Sequence, residues 1–285
     1  MWNKGIFIFG LLLALPLVAM PKADWQQAIT QQEQKLKANI GVALLAADGK
    51  VLFEYQGHRP FPLNSTHKAF ICGIALDLAD NNGLSFTQKL PILPKEIVNY
   101  SPITQHKTEM NLTALCSAAV SYSDNTAANL IVKQIGGIKA VTDYFKRQGL
   151  NQTRLDRPEP DMNRDNLKKG LDLTTPIEAA QLLQQFTFGN LLSNSSKRLF
   201  IQWMFDDQVA NDLLRSTLPQ GWKIADKTGA GSNGARSIIS VFWKPDGTAY
   251  LLSVYLTNTQ ATMAQRNQAI AEIGKTIFDH LKRQN

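Results

Sequence analysis

Ser65 and Lys68 stand three residues apart at the head of a nearly uniformly apolar run, Ala69-Phe70-Ile71-Cys72-Gly73-Ile74-Ala75-Leu76. A run that is apolar on almost every side predicts a helix buried in the protein, and Ser65 is placed to open it. There a hydroxyl sits beside unpaired backbone N–H groups and the positive end of the helix dipole, where an alkoxide or oxyanion is stabilised. Lys68 falls on the same face, with its amine in reach of the serine oxygen. A hydroxyl beside an amine is a nucleophile with a proton acceptor. His67 cannot be that acceptor, because two positions along a helix rotate it about 200° away from Ser65.

Three later stretches carry further chemistry-bearing types. Ser123-Asp124-Asn125 lies between two helical patterns, Leu112 to Val120 and Thr126 to Ile135, and taken alone reads equally well as a helix start. Lys227-Thr228-Gly229 falls inside a strand-like segment, Trp222 to Gly231, and alone would be a turn; Gly229 and Gly231 leave room for a close approach to the backbone. Arg157-Pro158-Glu159-Pro160-Asp161-Met162-Asn163 cannot be helical around Glu159, since the prolines fix the backbone and remove N–H donors. It is a stiff loop presenting a carboxylate, or by itself an ordinary solvated loop.

The elements that must position these residues follow from hydrophobic periodicity. Asp24 to Ala38 reads as an amphipathic helix with Trp25, Ala28, Ile29 and Leu36 on its apolar side. Ile40 to Ala46 and Val51 to Tyr55 form a hairpin around Ala47-Asp48-Gly49-Lys50. From Ser65 to about Phe205 the pattern is mostly helical with no convincing strand. Ser237 to Trp243 and Tyr250 to Thr257 make a second hairpin around Lys244-Pro245-Asp246-Gly247, and Met263 to Arg283 a last amphipathic helix. Strands at both ends with helices between them predict an α/β (α+β) fold: one antiparallel sheet assembled from both chain ends, flanked by helices, with an all-helical lobe inserted. The expected organisation is a single catalytic domain over 24–285, with 24–60 and 208–285 as the α/β lobe and 61–207 as the helical lobe.

With 285 residues and 44% hydrophobic content the chain can bury a large core, which excludes disorder. Met1 to Lys4 followed by the apolar Gly5 to Ala19 has the layout of a secretory signal peptide and is too short for a bilayer span, so export is expected, with cleavage between Ala19 and Ala23. No cysteine lies near that site, and no lipid or membrane anchor is expected. Removing residues 1–23 takes away Lys4 and Lys22 and leaves 28 basic against 23 acidic residues, a net charge of +5. The basic residues are scattered, which argues against nucleic acid and for mild attraction of anionic small molecules. Cys72 and Cys116 are the only cysteines, and in an exported protein a single disulfide is the natural expectation. The four histidines have no metal-ligand spacing, so no metal and no cofactor are expected.

Taken together and in this order, Ser65-x-x-Lys68, Ser123-Asp124-Asn125 and Lys227-Thr228-Gly229 resemble the signature of class A serine β-lactamases and penicillin-binding proteins. The Glu159 loop points within that superfamily to class A, and the resemblance runs from Phe61-Pro62 to Arg266-Asn267 in the last helix. It implies hydrolysis of β-lactams through an acyl-enzyme, by a monomer of the periplasm or, without an outer membrane, a secreted one. A strained amide bearing a carboxylate needs a nucleophile, a proton acceptor, an oxyanion site and a cation. The resemblance assigns attack to Ser65, proton acceptance to Lys68 or a water on Glu159, and the oxyanion to the N–H groups of Ser65 and Ala230. Ser123 relays a proton to the leaving nitrogen, Lys227, Thr228 and Arg236 receive the carboxylate, and Asn125 binds the acylamide side chain. Glu159 and Asn163 hold the deacylating water, the Glu159-Pro160 bond is often cis, and Arg157 pairs with Asp172 across the neck of the loop. Tyr100 matches an aromatic that walls the cleft, although as a sequence feature it reads equally as surface packing. A Cys72–Cys116 bond would tie the nucleophile helix to the helix delivering Ser123.

The cysteine pair flanking the nucleophile and the Lys-Thr-Gly strand in many carbapenem-hydrolysing members is absent, since Asn64 and Gly231 occupy those positions. Two other functions share part of the pattern. A cell-wall D,D-peptidase or transpeptidase has the first three motifs without the glutamate loop, and a β-lactam sensor acylates without turning over but normally follows a membrane segment.

Overall fold

A computed structural model of the protein describes residues 22–164 and 166–283. The expected signal peptide lies outside these residues apart from Lys22 and Ala23, which open the first helix. In chain order the elements are α1 (Lys22–Leu36), β1 (Asn39–Ala46), β2 (Val51–Tyr55), β3 (Phe61–Pro62), α2 (His67–Asn82), β4 (Lys89–Pro91), β5 (Glu109–Asn111), α3 (Leu112–Ser121), α4 (Asn125–Gln134), α5 (Gly137–Arg147), α6 (Asn166–Lys169), β6 (Leu173–Thr174), α7 (Pro176–Thr187), α8 (Asn194–Phe205), β7 (Lys223–Ala230), β8 (Arg236–Trp243), β9 (Ala249–Thr257) and α9 (Met263–Arg283).

The main sheet is antiparallel, in the order β2-β1-β9-β8-β7, so strands from the two chain ends meet at the β1–β9 pair. Period-two alternation sends successive side chains to opposite faces. Val42, Leu44, Ile238 and Val254 face α1 and α9, where Trp25, Ile29, Ile270 and Phe278 complete one core. Ala43, Leu45, Ile239 and Tyr255 face the other way and join the larger core of α2, α3, α4, α7 and α8. Both faces of the sheet are buried, so a one-residue slip at β1–β9 would exchange the two sets, and the register Val42↔Val254 is strongly specified.

The middle of the chain is not purely helical, contrary to the sequence expectation. β3 pairs with β6 and β4 with β5, in ladders of two and three residues that are too short to leave a periodic signal. The start of the nucleophile helix also differs: Asn64–Thr66 form a 3-10 turn, α2 begins at His67, and no side-chain hydroxyl caps it. Ser65 is therefore held by the turn before the helix, and its hydroxyl is not spent as a cap. Behind it, Cys72 and Cys116 are bonded, with Cα atoms 5.7 Å apart, joining α2 to α3.

Candidate active site

The nucleophile segment is strained where a tight turn needs it. Asn64 adopts φ +47°, and so places Ser65 at the end of β3 facing β7. Ser123 (φ +60°) and Tyr100 (φ +63°) share this left-handed conformation, so three of the residues around one cleft sit in a region that non-glycine residues rarely occupy. Gly229 explains the closeness of β7: a Cβ there would fall 2.8 Å from the Asn64 Cβ and 3.0 Å from the Ser65 nitrogen. A Cβ on Gly231 would meet Asn64 Oδ1 at 2.3 Å. The room that these glycines leave is used by the Asn64–Ser65 turn itself.

Lys68 is completely buried and forms the hub. Its Nζ donates to Ser65 Oγ (3.0 Å), the Ser123 carbonyl (2.8 Å) and Asn125 Oδ1 (2.5 Å), and lies 3.1 Å from Glu159 Oε1. Burial pushes the Lys68 amine below its ordinary value, against the opposing pull of Glu159. Burial would raise the Glu159 carboxyl, but the charges of Lys68 and His67 and the hydrogen bonds from Lys68 and Asn163 outweigh it and hold Glu159 below the usual range. Glu159 is thus a carboxylate at neutral pH, beside an amine made easier to deprotonate. Asn163 Nδ2 donates to Glu159 Oε2 at 2.5 Å. Glu159 Oε1 faces the Lys68 ammonium, and Asn163 Oδ1 is buried with no hydrogen-bond donor among the described residues.

The loop that carries Glu159 is closed at its neck. Arg157 Nε donates to Asp172 Oδ2 at 2.6 Å, and Asp172 Oδ1 accepts from the backbone N–H groups of Asp156 and Arg157. The Leu63 N–H donates to the Asp172 carbonyl at 2.9 Å, fastening the neck to the nucleophile segment. The Glu159–Pro160 bond is cis.

Across the cleft, Lys227 Nζ donates to Ser123 Oγ (3.2 Å) and to the Thr228 carbonyl (3.0 Å). Burial pushes Lys227 down to about 8, with Asp207 pulling the other way. The β7–β8 register sets Arg236 opposite Ala230, and its guanidinium donates to Asn267 Oδ1 (2.7 Å) and the Gly229 carbonyl (3.1 Å). Ser65, Tyr100, Ser123, Asn125, Asn163, Thr228, Ala230 and Arg236 all line one cavity of about 350 Å³. Tyr100 stands 54% exposed at its mouth, which makes it a wall of the cleft and not surface packing. His67 faces away as expected: its ring nitrogen pairs with the Asn64 carbonyl at 2.8 Å, and burial lowers it to about 4.

A family model described as the "Beta-lactamase enzyme family" matches residues 22–281. The chain belongs to this family. It is 40% identical to Beta-lactamase AER-1 of Aeromonas hydrophila over 277 residues, which are 96% of this chain and 91% of that protein. Over 279 residues it is 39% identical to Beta-lactamase PSE-1 of Pseudomonas aeruginosa, covering 96% of this chain and 97% of the relative. Among solved structures it is similar to the chromosome-encoded beta-lactamase of Vibrio parahaemolyticus (TM-score 0.86, 35% identity, 90% of this chain and 99% of that one). It also matches a class A beta-lactamase described as the last common ancestor of Gram-negative bacteria (TM-score 0.87, 34% identity, 91% and 99%). The fold of this β-lactamase is the class A fold.

Several residues around the cleft escaped the sequence. Asn129 brackets Glu159, accepting from its N–H at 2.9 Å and donating to its carbonyl at 3.0 Å. It lies four residues after Asn125 on α4, a same-face spacing that could have flagged it. Val209 and Met263 line the cavity and are single apolar residues with no distinguishing pattern. Asn125 Nδ2 donates to the Asn99 carbonyl, a contact that no spacing announces. Among the described residues no helix is long and apolar enough to cross a membrane, and no cluster of His, Cys, Asp and Glu could hold a metal ion.

Proposed function

We propose that this class A β-lactamase opens β-lactams through an ester on Ser65 and discharges it with a water held by Glu159 and Asn163. Ser65 Oγ attacks the lactam carbonyl while its proton passes either to Lys68, made neutral by handing its own proton to Glu159, or through a water to Glu159 itself. The carbonyl oxygen takes up negative charge against the N–H groups of Ser65 and Ala230. Collapse breaks the C–N bond, and the nitrogen receives a proton through Ser123, whose hydroxyl lies between Lys68 (3.4 Å) and Lys227 (3.2 Å). Lys227, Thr228 and Arg236 receive the substrate carboxylate, and Asn125 the acylamide chain. Glu159 then takes a proton from water as it attacks the ester, and the ring-opened acid leaves with Ser65 restored.

The single observation behind this reading is the Lys68 amine between Ser65 Oγ and the Glu159 carboxylate. A transpeptidase or a sensor needs the first contact and has no use for the second. Burst kinetics followed by steady turnover of a chromogenic cephalosporin is the expected result, and a burst with no turnover would favour the sensor. The chain is further read as one catalytic domain of two lobes, divided near residues 61 and 208, and as a monomer exported to the periplasm after loss of residues 1–23. No cofactor enters the chemistry. Mass analysis of the exported protein and its sedimentation test these points.

A further inference from the structure

The proposed chemistry leaves His67 idle, although it follows the nucleophile by two residues and is buried. Its Nδ1 lies 2.8 Å from the Asn64 carbonyl oxygen. A carbonyl only accepts, so the proton of this hydrogen bond belongs to Nδ1. Burial lowers the imidazole to about 4, so at neutral pH the ring is uncharged and carries its single N–H proton on that nitrogen. The same carbonyl also accepts from the His67 backbone N–H. Asn64 Oδ1, by contrast, is buried with no donor among the described residues, so the side-chain oxygen of this left-handed residue gives the turn no support of its own.

The Asn64 carbonyl and the Ser65 N–H are the two ends of one peptide group. The cis bond among the described residues is Glu159–Pro160, so this group is trans and planar, and its C=O and N–H point in opposite directions. Fixing one end therefore fixes the other. The nitrogen end lies against β7, where a Cβ on Gly229 would fall 3.0 Å from the Ser65 nitrogen, and Ala230, the other proposed oxyanion donor, is the next residue on that strand. Donation to the oxygen of a peptide group also polarises it and strengthens its N–H as a donor. We infer that His67 is a positioning residue whose Nδ1–H, by holding the Asn64 carbonyl, aims and polarises the Ser65 N–H for the oxyanion. The inference rests on the proposed role of that N–H. His67 acts through the peptide and not on the substrate, and a donor aimed in advance at the developing charge needs no reorganisation when the charge appears.

The test compares His67→Phe, which keeps a buried ring and loses the donor, with His67→Asn, whose side-chain N–H can stand in for Nδ1–H. An oxyanion contact strengthens in the transition state, so in His67→Phe kcat and kcat/KM for a penicillin should fall together by roughly 3- to 10-fold, a fraction of the loss on deleting a whole oxyanion donor. His67→Asn should recover most of that rate. Infrared spectra give a readout that a merely structural role would not move. In a Glu159→Ala background, where the ester on Ser65 is expected to persist, its carbonyl stretch should rise in frequency with His67→Phe and return with His67→Asn, because a weaker donor polarises it less. Nitrogen NMR of the unsubstituted protein should find the His67 ring neutral and protonated on Nδ1. Protonation on Nε2 overturns the inference, and so does an ester band that does not move in folded His67→Phe, whatever the rate. If the band of the adduct with His67 in place is no lower in the folded protein than in urea, the cleft gives the ester carbonyl no better donors than water does, and the reading of Ser65 and Ala230 as the oxyanion site fails instead. Should His67→Phe not fold, His67→Met is measured in the same way.

Discussion

The Lys68 Nζ lies 3.1 Å from Glu159 Oε1, and both side chains are shut off from solvent. The same ammonium reaches Ser65 at 3.0 Å, so a hydroxyl, an amine and a carboxylate form one hydrogen-bonded chain, along which the proposed reaction moves its protons. Removal of the carboxylate separates the two halves of the reaction. Lys68 remains beside Ser65 in Glu159→Ala, so the variant should still acylate with a penicillin, while deacylation slows by a factor of about 100 or more. Mass spectrometry of the quenched protein should find the adduct on the peptide containing Ser65. A variant that stays unmodified would make Glu159 essential to acylation as well.

That these side chains would meet was largely legible, because each sits at a local punctuation mark. Ser65 precedes an unbroken apolar run, Glu159 lies between two prolines, and Lys227 leads into two glycines. One antiparallel sheet joining both chain ends followed from the strand patterns at each end, whereas the order β2-β1-β9-β8-β7 is set by the tertiary structure. What failed was local geometry without periodicity. Two-residue ladders such as Phe61–Pro62 against Leu173–Thr174 carry no alternation, and an apolar run shows that a helix is near but not whether it opens with a 3-10 turn. Asn129 and Val209 act through tertiary contacts that their neighbours in sequence do not encode.

Arg157 and Asp172 close the neck of the Glu159 loop, with Asp172 fully buried and Arg157 largely so. Arg157→Ala leaves the carboxylate with its two backbone donors and no cation, a loss of about 3 kcal/mol by analogy with broken buried pairs. The loop then presents Glu159 loosely, so deacylation should suffer more than acylation. Pre-steady-state rates and a denaturant melt check the two parts, and a melt unchanged from wild type would make the ion pair dispensable.

The Cys72–Cys116 bond crosses behind the site, with both cysteines buried and a sequence separation of 44. Closing a loop of that size constrains the unfolded chain by up to roughly 4 kcal/mol. The double variant Cys72→Ser/Cys116→Ser should melt several degrees lower yet retain activity within a few-fold at 25 °C. Activity lost in step with stability would mean that the bond also sets the position of Ser65 or Ser123.

His67 adds to the stability curve a slope that rises with pH, against the falling slope of Asp226, whose carboxyl burial raises to about 7. The pKa of His67 falls from 6.5 to about 4 on folding, because charging it inside the core is costly. Between those values the imidazole is protonated more in the unfolded chain, so the His67 contribution to stability rises with pH across this window, by at most about 1.4 kcal/mol per unit. The contribution is complete above pH 6.5 and is lost as pH falls toward 4. Glu159, lowered from 4.5, adds its own loss only below that point. Urea titrations between pH 4 and 7 should show a shallower slope in His67→Asn, and an identical slope would remove His67 from the account.

Arg236 is set opposite Ala230 by the β7–β8 register and lines the cleft, where the proposed function gives it the substrate carboxylate. Two of its donors are already committed, to Asn267 Oδ1 and the Gly229 carbonyl, which fixes the fork and leaves its remaining N–H groups for a carboxylate. That carboxylate carries the same charge before and after acylation, so the attraction is equal in the ground state and the transition state. An interaction of this kind sets KM and leaves the chemical step alone. Arg236→Ser should therefore raise KM for penicillins about tenfold or more with a much smaller change in kcat, and the loss should shrink as salt screens the field. A fall in kcat at unchanged KM would place Arg236 in the chemical step.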